Sequence, residues 1–127
     1  MPTRRFDVHT CPVCGNVIEV IRRGSGTLVC CNVEMERHEP NSLDAPAEEH
    51  VPVAEWADGR LTVCVGRSPH PMSESHHIEW IELAADGRRW RHYLRPDDQP
   101  TTTFLPPDGQ PAEWGVRAAC CLHGLWQ

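Results

Sequence analysis

The chain has 127 residues and a net charge of −6, and all twelve of its basic residues are arginine. This length fits one domain, or one domain plus a small module held together by metal or cross-links. An acidic chain without a basic run lacks the usual signature of a protein that binds nucleic acid or anionic lipid. No apolar stretch approaches the ~18 residues of a membrane span and no apolar signal core follows the N-terminus, so we expect a soluble cytoplasmic protein.

The composition is unusually rich in the metal-binding residues cysteine and histidine, with seven and eight copies respectively. The cysteine count is odd, and four of the cysteines form two adjacent pairs, Cys30-Cys31 and Cys120-Cys121. These features, without a signal segment, argue against a secreted disulfide framework. Metal binding is the better interpretation.

The first cysteines lie in a short β-prone segment. Residues 17–21 and 27–30 flank a Gly-Ser-Gly turn, which predicts a hairpin. Residues 39–47 are poor in apolar side chains and contain two prolines, which predicts a linker. We therefore expect an N-terminal module over 1–38, which is too small to fold by apolar burial alone, and a second domain over 48–127.

The second domain shows the pattern of an antiparallel β-sandwich. Residues 51–56 and 61–65 predict one hairpin across Asp58-Gly59, and residues 77–83 and 89–94 predict another across Asp86-Gly87. A proline-rich stretch follows, which predicts a long loop with an edge strand over 101–105. No stretch has a convincing helical period, so the fold class is mainly β.

Four cysteines form the first candidate metal site: Cys11, Cys14, Cys30 and Cys31. Four thiolates suit Zn²⁺ or a single iron, and their spacing alone does not choose between the two. Adjacent cysteines on an extended strand point to opposite faces, so binding one ion with both requires a local distortion of the backbone.

This cysteine pattern, with Gly15 after the first pair and Met35 after the second, resembles the desulforedoxin module. The resemblance implies one iron in a distorted four-sulfur site. Members of that family usually have glycine after the adjacent pair, whereas this chain has Asn32. Asparagine is the non-glycine residue that most readily adopts a positive φ, so we expect the change to be tolerated.

Three further motifs surround His50, residues 69–80 and residues 120–126, and they resemble the iron domain of neelaredoxin-type superoxide reductases. The whole chain resembles the desulfoferrodoxin family. The resemblance implies a desulforedoxin/rubredoxin-like module followed by an immunoglobulin-like antiparallel β-sandwich. It also implies a second iron bound by four histidines and one axial thiolate, namely His50, His70, His76, His123 and Cys120.

The resemblance implies a superoxide reductase, which converts superoxide to hydrogen peroxide with one electron and two protons. The four-cysteine iron would relay electrons from a rubredoxin-like donor, zinc could substitute at that site, and the chain would form a homodimer. Glu48 matches the family's glutamate that occupies the sixth iron position after oxidation. His77, by contrast, is expected to neighbour a ligand without binding.

Two positions depart from the family pattern. Cys121 stands where asparagine is usual, and Glu49 stands where a lysine normally draws superoxide toward the iron. Arg67 or Arg117 are candidates to replace that lysine. A second hypothesis is therefore a one-electron carrier or redox sensor of the same fold with slow superoxide turnover. A third, a structural zinc module, accounts for the cysteines but not for the histidines.

Overall fold

A computed structural model describes residues 2–41 and 50–127 of the chain. Most of the predicted linker, residues 42–47, lies outside these ranges, and so do Glu48 and Glu49. The described residues form strands and no helix, which confirms the mainly β fold class. Those ranges contain no helix that is long and apolar enough to cross a membrane. The chain divides into two compact units, Met1–Glu39 and Pro40–Gln127.

The first unit consists of short strands. They are β1 (Val8–Thr10), β2 (Val17–Glu19), β3 (Val29–Cys30), β4 (Val33–Glu34) and β5 (Glu36–His38). β1 lies between β2 and β5 in one antiparallel sheet, and β3 pairs with β4 in a separate hairpin. The predicted hairpin between residues 17–21 and 27–30 is therefore wrong, because β2 pairs with β1 and β3 pairs with β4.

Two turns explain this pairing. After β1 the chain reverses through Gly15, which has a φ of 79° and donates its N–H to the carbonyl of Cys11 at 3.0 Å. Between β3 and β4 lie Cys31 and Asn32, with φ values of 53° and 59°. Two consecutive residues with positive φ form the type I′ turn that matches strand twist in a hairpin. The predicted distortion at the adjacent cysteines is confirmed, and Asn32 adopts the positive φ expected of it.

The second unit is a sandwich of two antiparallel sheets. Its strands are β6 (Pro52–Ala57), β7 (Arg60–Val65), β8 (Ile78–Ala85), β9 (Arg88–Tyr93), β10 (Thr101–Phe104), β11 (Trp114–Cys120) and β12 (Gly124–Trp126). The strand orders are β10-β7-β6 and β12-β11-β8-β9. The two sheets enclose a core to which β7 contributes Leu61 and Val63 and β8 contributes Ile81 and Leu83, all fully buried. The predicted sandwich is confirmed.

Both predicted hairpins of this unit are present, as β6–β7 and β8–β9. Their connections are Asp58-Gly59 and Asp86-Gly87, each with positive φ at both residues, again the type I′ geometry. The predicted edge strand is β10, which lies at the end of its sheet beside β7. No strand was expected over β11, which lies inside the other sheet between β8 and β12.

Candidate metal centres

Four cysteine thiols come together in the first unit. Cys11 and Cys14 lie in the loop after β1, Cys30 ends β3, and Cys31 begins the turn that follows. Their sulfur atoms all lie within 4.8 Å of one another. The Sγ of Cys30 is 3.7 Å from that of Cys14 and 3.9 Å from that of Cys31. The type I′ turn therefore lets adjacent cysteines face one centre.

The proton affinities of these thiols favour a bound cation. A backbone hydrogen bond from Cys14 lowers the pKa of the Cys11 thiol to about 7. A side-chain hydrogen bond with Cys14 raises the pKa of the Cys31 thiol to about 12. Cys11 thus ionises readily, whereas Cys31 keeps its proton because hydrogen bonds with neighbouring sulfurs favour its neutral form. A metal ion supplies the positive charge with which all four can be thiolates.

The second candidate centre lies in the other unit and draws on three separate segments. His50 lies two residues before β6, His70 and His76 lie in the loop between β7 and β8, and Cys120 ends β11. The possible ligand atoms of these four residues lie within 4.8 Å of one another. His123, in the turn between β11 and β12, joins them, because its Nδ1 is 2.9 Å from Nε2 of His50.

The four imidazole rings form a nearly square arrangement. Neighbouring ring centroids are 4.7 Å apart for His50 and His70, 4.7 Å for His70 and His76, 4.9 Å for His76 and His123, and 4.8 Å for His123 and His50. The diagonal from His50 to His76 is 6.2 Å. The Sγ of Cys120 lies 3.9 Å from Nδ1 of His123. Four nitrogen donors and one sulfur donor thus surround one point.

Hydrogen bonds indicate which nitrogens face this point. Nδ1 of His70 lies 2.6 Å from the carbonyl oxygen of Pro71, to which only a protonated nitrogen donates. The lone pair of the neutral ring is then on Nε2, the nitrogen available to a metal. His50 presents Nε2 and His123 presents Nδ1, as their close contact shows. The prolines on either side of His70 restrict the backbone that carries it.

Local turns hold the other donors. The N–H of Ser73 donates to the carbonyl of His76 at 3.0 Å, closing a turn that presents His76. The N–H of Cys121 donates to the carbonyl of His77 at 3.1 Å, and the N–H of His77 donates to Sγ of Cys121 at 3.3 Å. Cys121 and His77 therefore tie the turn after β11 to the loop before β8, next to the five-donor cluster.

Cys120 provides the thiol of this cluster. It is only 4% exposed, and burial raises the pKa of its thiol. In an apolar surrounding the thiol loses its proton only when a cation compensates the charge, as a coordinated metal does. Imidazole and thiolate donors suit first-row transition metals rather than Mg²⁺ or Ca²⁺. The donor sets of both centres are consistent with iron.

Other residues considered in the sequence lie apart from the two clusters. Cys64 is exposed on β7, with its Sγ 3.3 Å from Oγ1 of Thr101. Glu48 and Glu49 are outside the described residues. Arg117, one candidate to replace the family lysine, hydrogen-bonds to Glu82 through Nε at 2.7 Å. Its charge is thus already compensated on the face of a sheet.

Glu82 is a feature that the sequence analysis missed. Its side chain is 1% exposed and accepts hydrogen bonds from arginines on two strands that flank β8, namely Arg89 and Arg91 of β9 and Arg117 of β11. Burial opposes ionisation of Glu82, but hydrogen bonds from Arg117 and Arg91 outweigh it and hold the pKa of the carboxyl below its usual value. An acidic residue in an otherwise buried strand was the available signal.

Trp126 is the second such residue. Its indole ring stacks on the imidazole of His50 with centroids 4.5 Å apart. The signal in the sequence was its place at the end of the motif that contains Cys120 and His123. The sequence alone does not indicate which ring it contacts.

Both units of this chain are similar to known protein families. The model of the desulfoferrodoxin N-terminal domain matches residues 3–37, and the desulfoferrodoxin model matches residues 42–127. A desulfoferrodoxin from Desulfarculus baarsii is 44% identical over 123 residues, covering 97% of this chain and 95% of the relative. A superoxide reductase from Pyrococcus horikoshii is 32% identical over 102 residues, covering 68% of this chain and 89% of the relative. The crystal structure of the superoxide reductase from Treponema pallidum has a TM-score of 0.73 at 25% identity, with 98% of each chain covered.

Proposed function

Because this chain belongs to the desulfoferrodoxin family, we propose that it is a superoxide reductase with two mononuclear iron sites. The observation that carries the proposal is the five-donor cluster of the second unit, in which four imidazoles and one thiolate surround a single point. A structural zinc site needs only four ligands and a closed shell. The four histidines and Cys120 together provide five donors around one point, one more than such a site needs.

The residues proposed to hold the second iron are His50, His70, His76, His123 and Cys120. Iron bound there would supply the electron that, with two protons, converts superoxide to hydrogen peroxide. The imidazoles bind as neutral groups, so the Cys120 thiolate is the only anionic donor among the five. Because one thiolate does not cancel the charge of a divalent ion, these donors leave a centre that attracts an anion.

Hydrogen bonds hold the segments that carry four of the five donors. The carbonyl oxygen of Pro71 accepts a hydrogen bond from Nδ1–H of His70, which leaves the lone pair on Nε2 for the proposed iron. The Ser73 turn presents His76, and the contacts between Cys121 and His77 fix the turn that carries Cys120 and His123. Positions of the donors are therefore set largely by the protein before metal binds, which limits reorganisation during electron transfer.

The four cysteines of the first unit are proposed to hold the other iron, which relays electrons to the second site. A rubredoxin-like protein is the proposed electron donor, and zinc is able to replace iron at this thiolate site. Cytoplasmic location stays a prediction from sequence. We also propose a homodimer, because the first unit exposes several large apolar side chains, among them Val13, Val17, Ile21 and Val29.

Glu48 and Glu49 keep the roles that the family pattern suggests. Glu48 is proposed to be a ligand that the iron would take after oxidation. Glu49 replaces the lysine that would attract superoxide, and the chain has no lysine elsewhere. This replacement favours the second candidate function, a one-electron carrier or redox sensor that reacts slowly with superoxide.

Stopped-flow mixing of the fully reduced protein with superoxide separates these two functions. A superoxide reductase reacts in a second-order step near the diffusional range, about 10⁸ M⁻¹s⁻¹ or more. A carrier or sensor reacts orders of magnitude more slowly while still accepting electrons from a donor protein. Iron analysis of protein purified without oxygen accompanies the experiment, and one zinc per chain with no iron would contradict both functions.

A further inference from the structure

Trp126 makes a face-to-face contact with one of the proposed iron ligands. The planes of its indole ring and the His50 imidazole are 19° apart, with centroids separated by 4.5 Å. Both side chains are buried, at 8% exposure for Trp126 and 7% for His50. One face of the imidazole is therefore covered by the buried indole ring.

His50 is the donor that stacks on Trp126. It precedes β6, which begins at Pro52, and like the other three histidines it lies outside the strands, so strand pairing does not orient it. Its neighbours in the square, His70 and His123, meet it edge to face at 70° and 85°. Edge contacts of this kind limit how closely the rings approach, whereas a stacked partner sets the plane of the ring. The direction of the Nε2 lone pair follows from that plane.

Trp126 is itself firmly anchored. It lies on β12 opposite Ala118 of β11, the strand that ends at Cys120. On its other side, the N–H of Asn41 donates to the carbonyl of Leu125 at 2.9 Å, and the N–H of Gln127 donates to the carbonyl of Asn41 at 3.0 Å. Its side chain also belongs to the core of the sandwich. The indole ring that stacks on His50 is thus held by the same sheet that carries the Cys120 thiol.

The chemistry of the indole supports a role for its ring face. Nε1 of Trp126 is buried and makes no hydrogen bond to any residue in 2–41 or 50–127. An unpaired buried N–H is unfavourable, so a purely apolar side chain would suit simple core packing better. The face of the indole ring contacts His50, whereas its N–H contacts no hydrogen-bond acceptor in the described residues. Trp56 on β6 also has a buried, unpaired Nε1, but it contacts Trp114 rather than a histidine.

We propose that Trp126 is a positioning residue that fixes the plane of the His50 imidazole and thereby sets the metal affinity of the five-donor centre. This inference rests on the proposed function, in that His50 is taken as a metal ligand. It assigns to the C-terminal strand a part in building the centre, in addition to its part in the core.

The test is a titration of metal-free protein with Co²⁺, followed through the visible absorption of each centre. Trp126→Leu removes the stacked ring, Trp126→Phe keeps a flat ring, and Trp56→Leu is the control for loss of a tryptophan that packs against the same core. We expect Trp126→Leu to weaken Co²⁺ binding at the five-donor centre by about tenfold or more, the range found when a group that orients a ligand is lost. Trp126→Phe should restore most of the affinity, and Trp56→Leu should match the wild type.

The four-cysteine centre serves as an internal reference, because its Co²⁺ affinity should be the same in every variant. If thermal melts show that Trp126→Leu does not fold, Trp126→Met takes its place, since its unbranched apolar chain fills more of the space. Wild-type affinity in the Leu or Met variant would overturn the inference, and so would an equal loss in Trp56→Leu. Failure of the wild-type protein to bind metal at the five donors would instead overturn the proposed function, and this inference with it.

Discussion

Nε2 of His50 lies 2.9 Å from Nδ1 of His123, although the two residues are 73 positions apart in the sequence. The two ring nitrogens are within hydrogen-bond distance of each other, and a cation bound at this point would take the lone pairs of both. The contact joins the segment before β6 to the turn before β12, so both ends of the second unit contribute to the centre.

His123→Ala should abolish iron binding at the five-donor centre, because it removes one corner of the imidazole square. Its matched control is His77→Ala, which removes an imidazole next to a proposed ligand without removing a donor. Metal analysis of anaerobically purified protein should find about one iron per chain in His123→Ala and about two in His77→Ala. The opposite pattern would show that His77 binds the metal and that the assignment of His123 is wrong.

Glu82→Gln should destabilise the second unit by about 3–5 kcal/mol at pH 7, because it leaves the charges of three arginines without a buried carboxylate. The expected reference is Glu79→Gln, an exposed change on the same strand, with an effect within about 0.5 kcal/mol. Thermal or urea unfolding of the three proteins measures both values.

The same pair gives a prediction for pH. The folded-state pKa of Glu82 is lower than its ordinary value, so the unfolded state binds more protons as the pH falls. The stability that Glu82 contributes is therefore complete above the ordinary glutamate pKa of about 4.3 and is lost as the pH falls through the lower folded-state value. The stability difference between wild type and Glu82→Gln should shrink in acid. A difference that is the same at pH 7 and pH 3 would show that the carboxylate charge does not contribute.

Homodimer formation through the first unit is tested by Ile21→Glu. Ile21 is 76% exposed in the single chain, and a carboxylate buried there in an interface would weaken association by about tenfold or more. Leu105→Glu, a comparable exposed change in the second unit, should leave association unchanged. Light scattering across a dilution series provides the measurement. A wild-type mass of 14.4 kDa at every concentration would exclude the dimer.

Glu49→Lys should raise the second-order rate with superoxide by about tenfold at low salt, since it replaces repulsion by attraction next to His50. The gain should decrease with added salt, because the Debye length at physiological ionic strength is only ~8 Å. The control is Glu113→Lys, which makes the same change of net charge next to the start of β11. This strand has seven residues and ends at Cys120, so the changed charge lies roughly 20 Å from Cys120. Equal rates in both variants would mean that net charge, rather than position 49, controls the encounter.

Local chemistry explains which parts of the structure were predictable. The Asp58-Gly59 and Asp86-Gly87 turns were found because few residue pairs accept positive φ twice in succession. The four cysteines were found from their spacing, whereas the histidine and cysteine donors of the second centre were predicted only from the resemblance to neelaredoxin-type superoxide reductases. The strands around the first cysteines have only two or three residues, too few to show the alternation of apolar and polar side chains that marks a strand. Their pairing was therefore predicted wrongly.

The features that were missed depend on contacts between distant segments. Glu82 is buried because three arginines from two neighbouring strands surround it. No local sequence pattern predicts that these arginines lie next to Glu82. β11 was missed because its buried residues, Ala118 and Cys120, are small, so no run of large apolar side chains marks the strand. The stack of Trp126 on His50 likewise joins the last strand to the segment before β6.

The central claim is that superoxide is reduced, not dismuted, at the centre that contains Cys120. The most direct test mixes reduced protein with a substoichiometric amount of superoxide and measures hydrogen peroxide and dioxygen together. If superoxide is reduced, the wild type and Cys121→Ser should form about one hydrogen peroxide per superoxide and no dioxygen. Cys120→Ser should promote neither the reduction nor the dismutation of superoxide. Dioxygen released in equal amount to peroxide, or the same peroxide yield and rate in Cys120→Ser, would contradict the account.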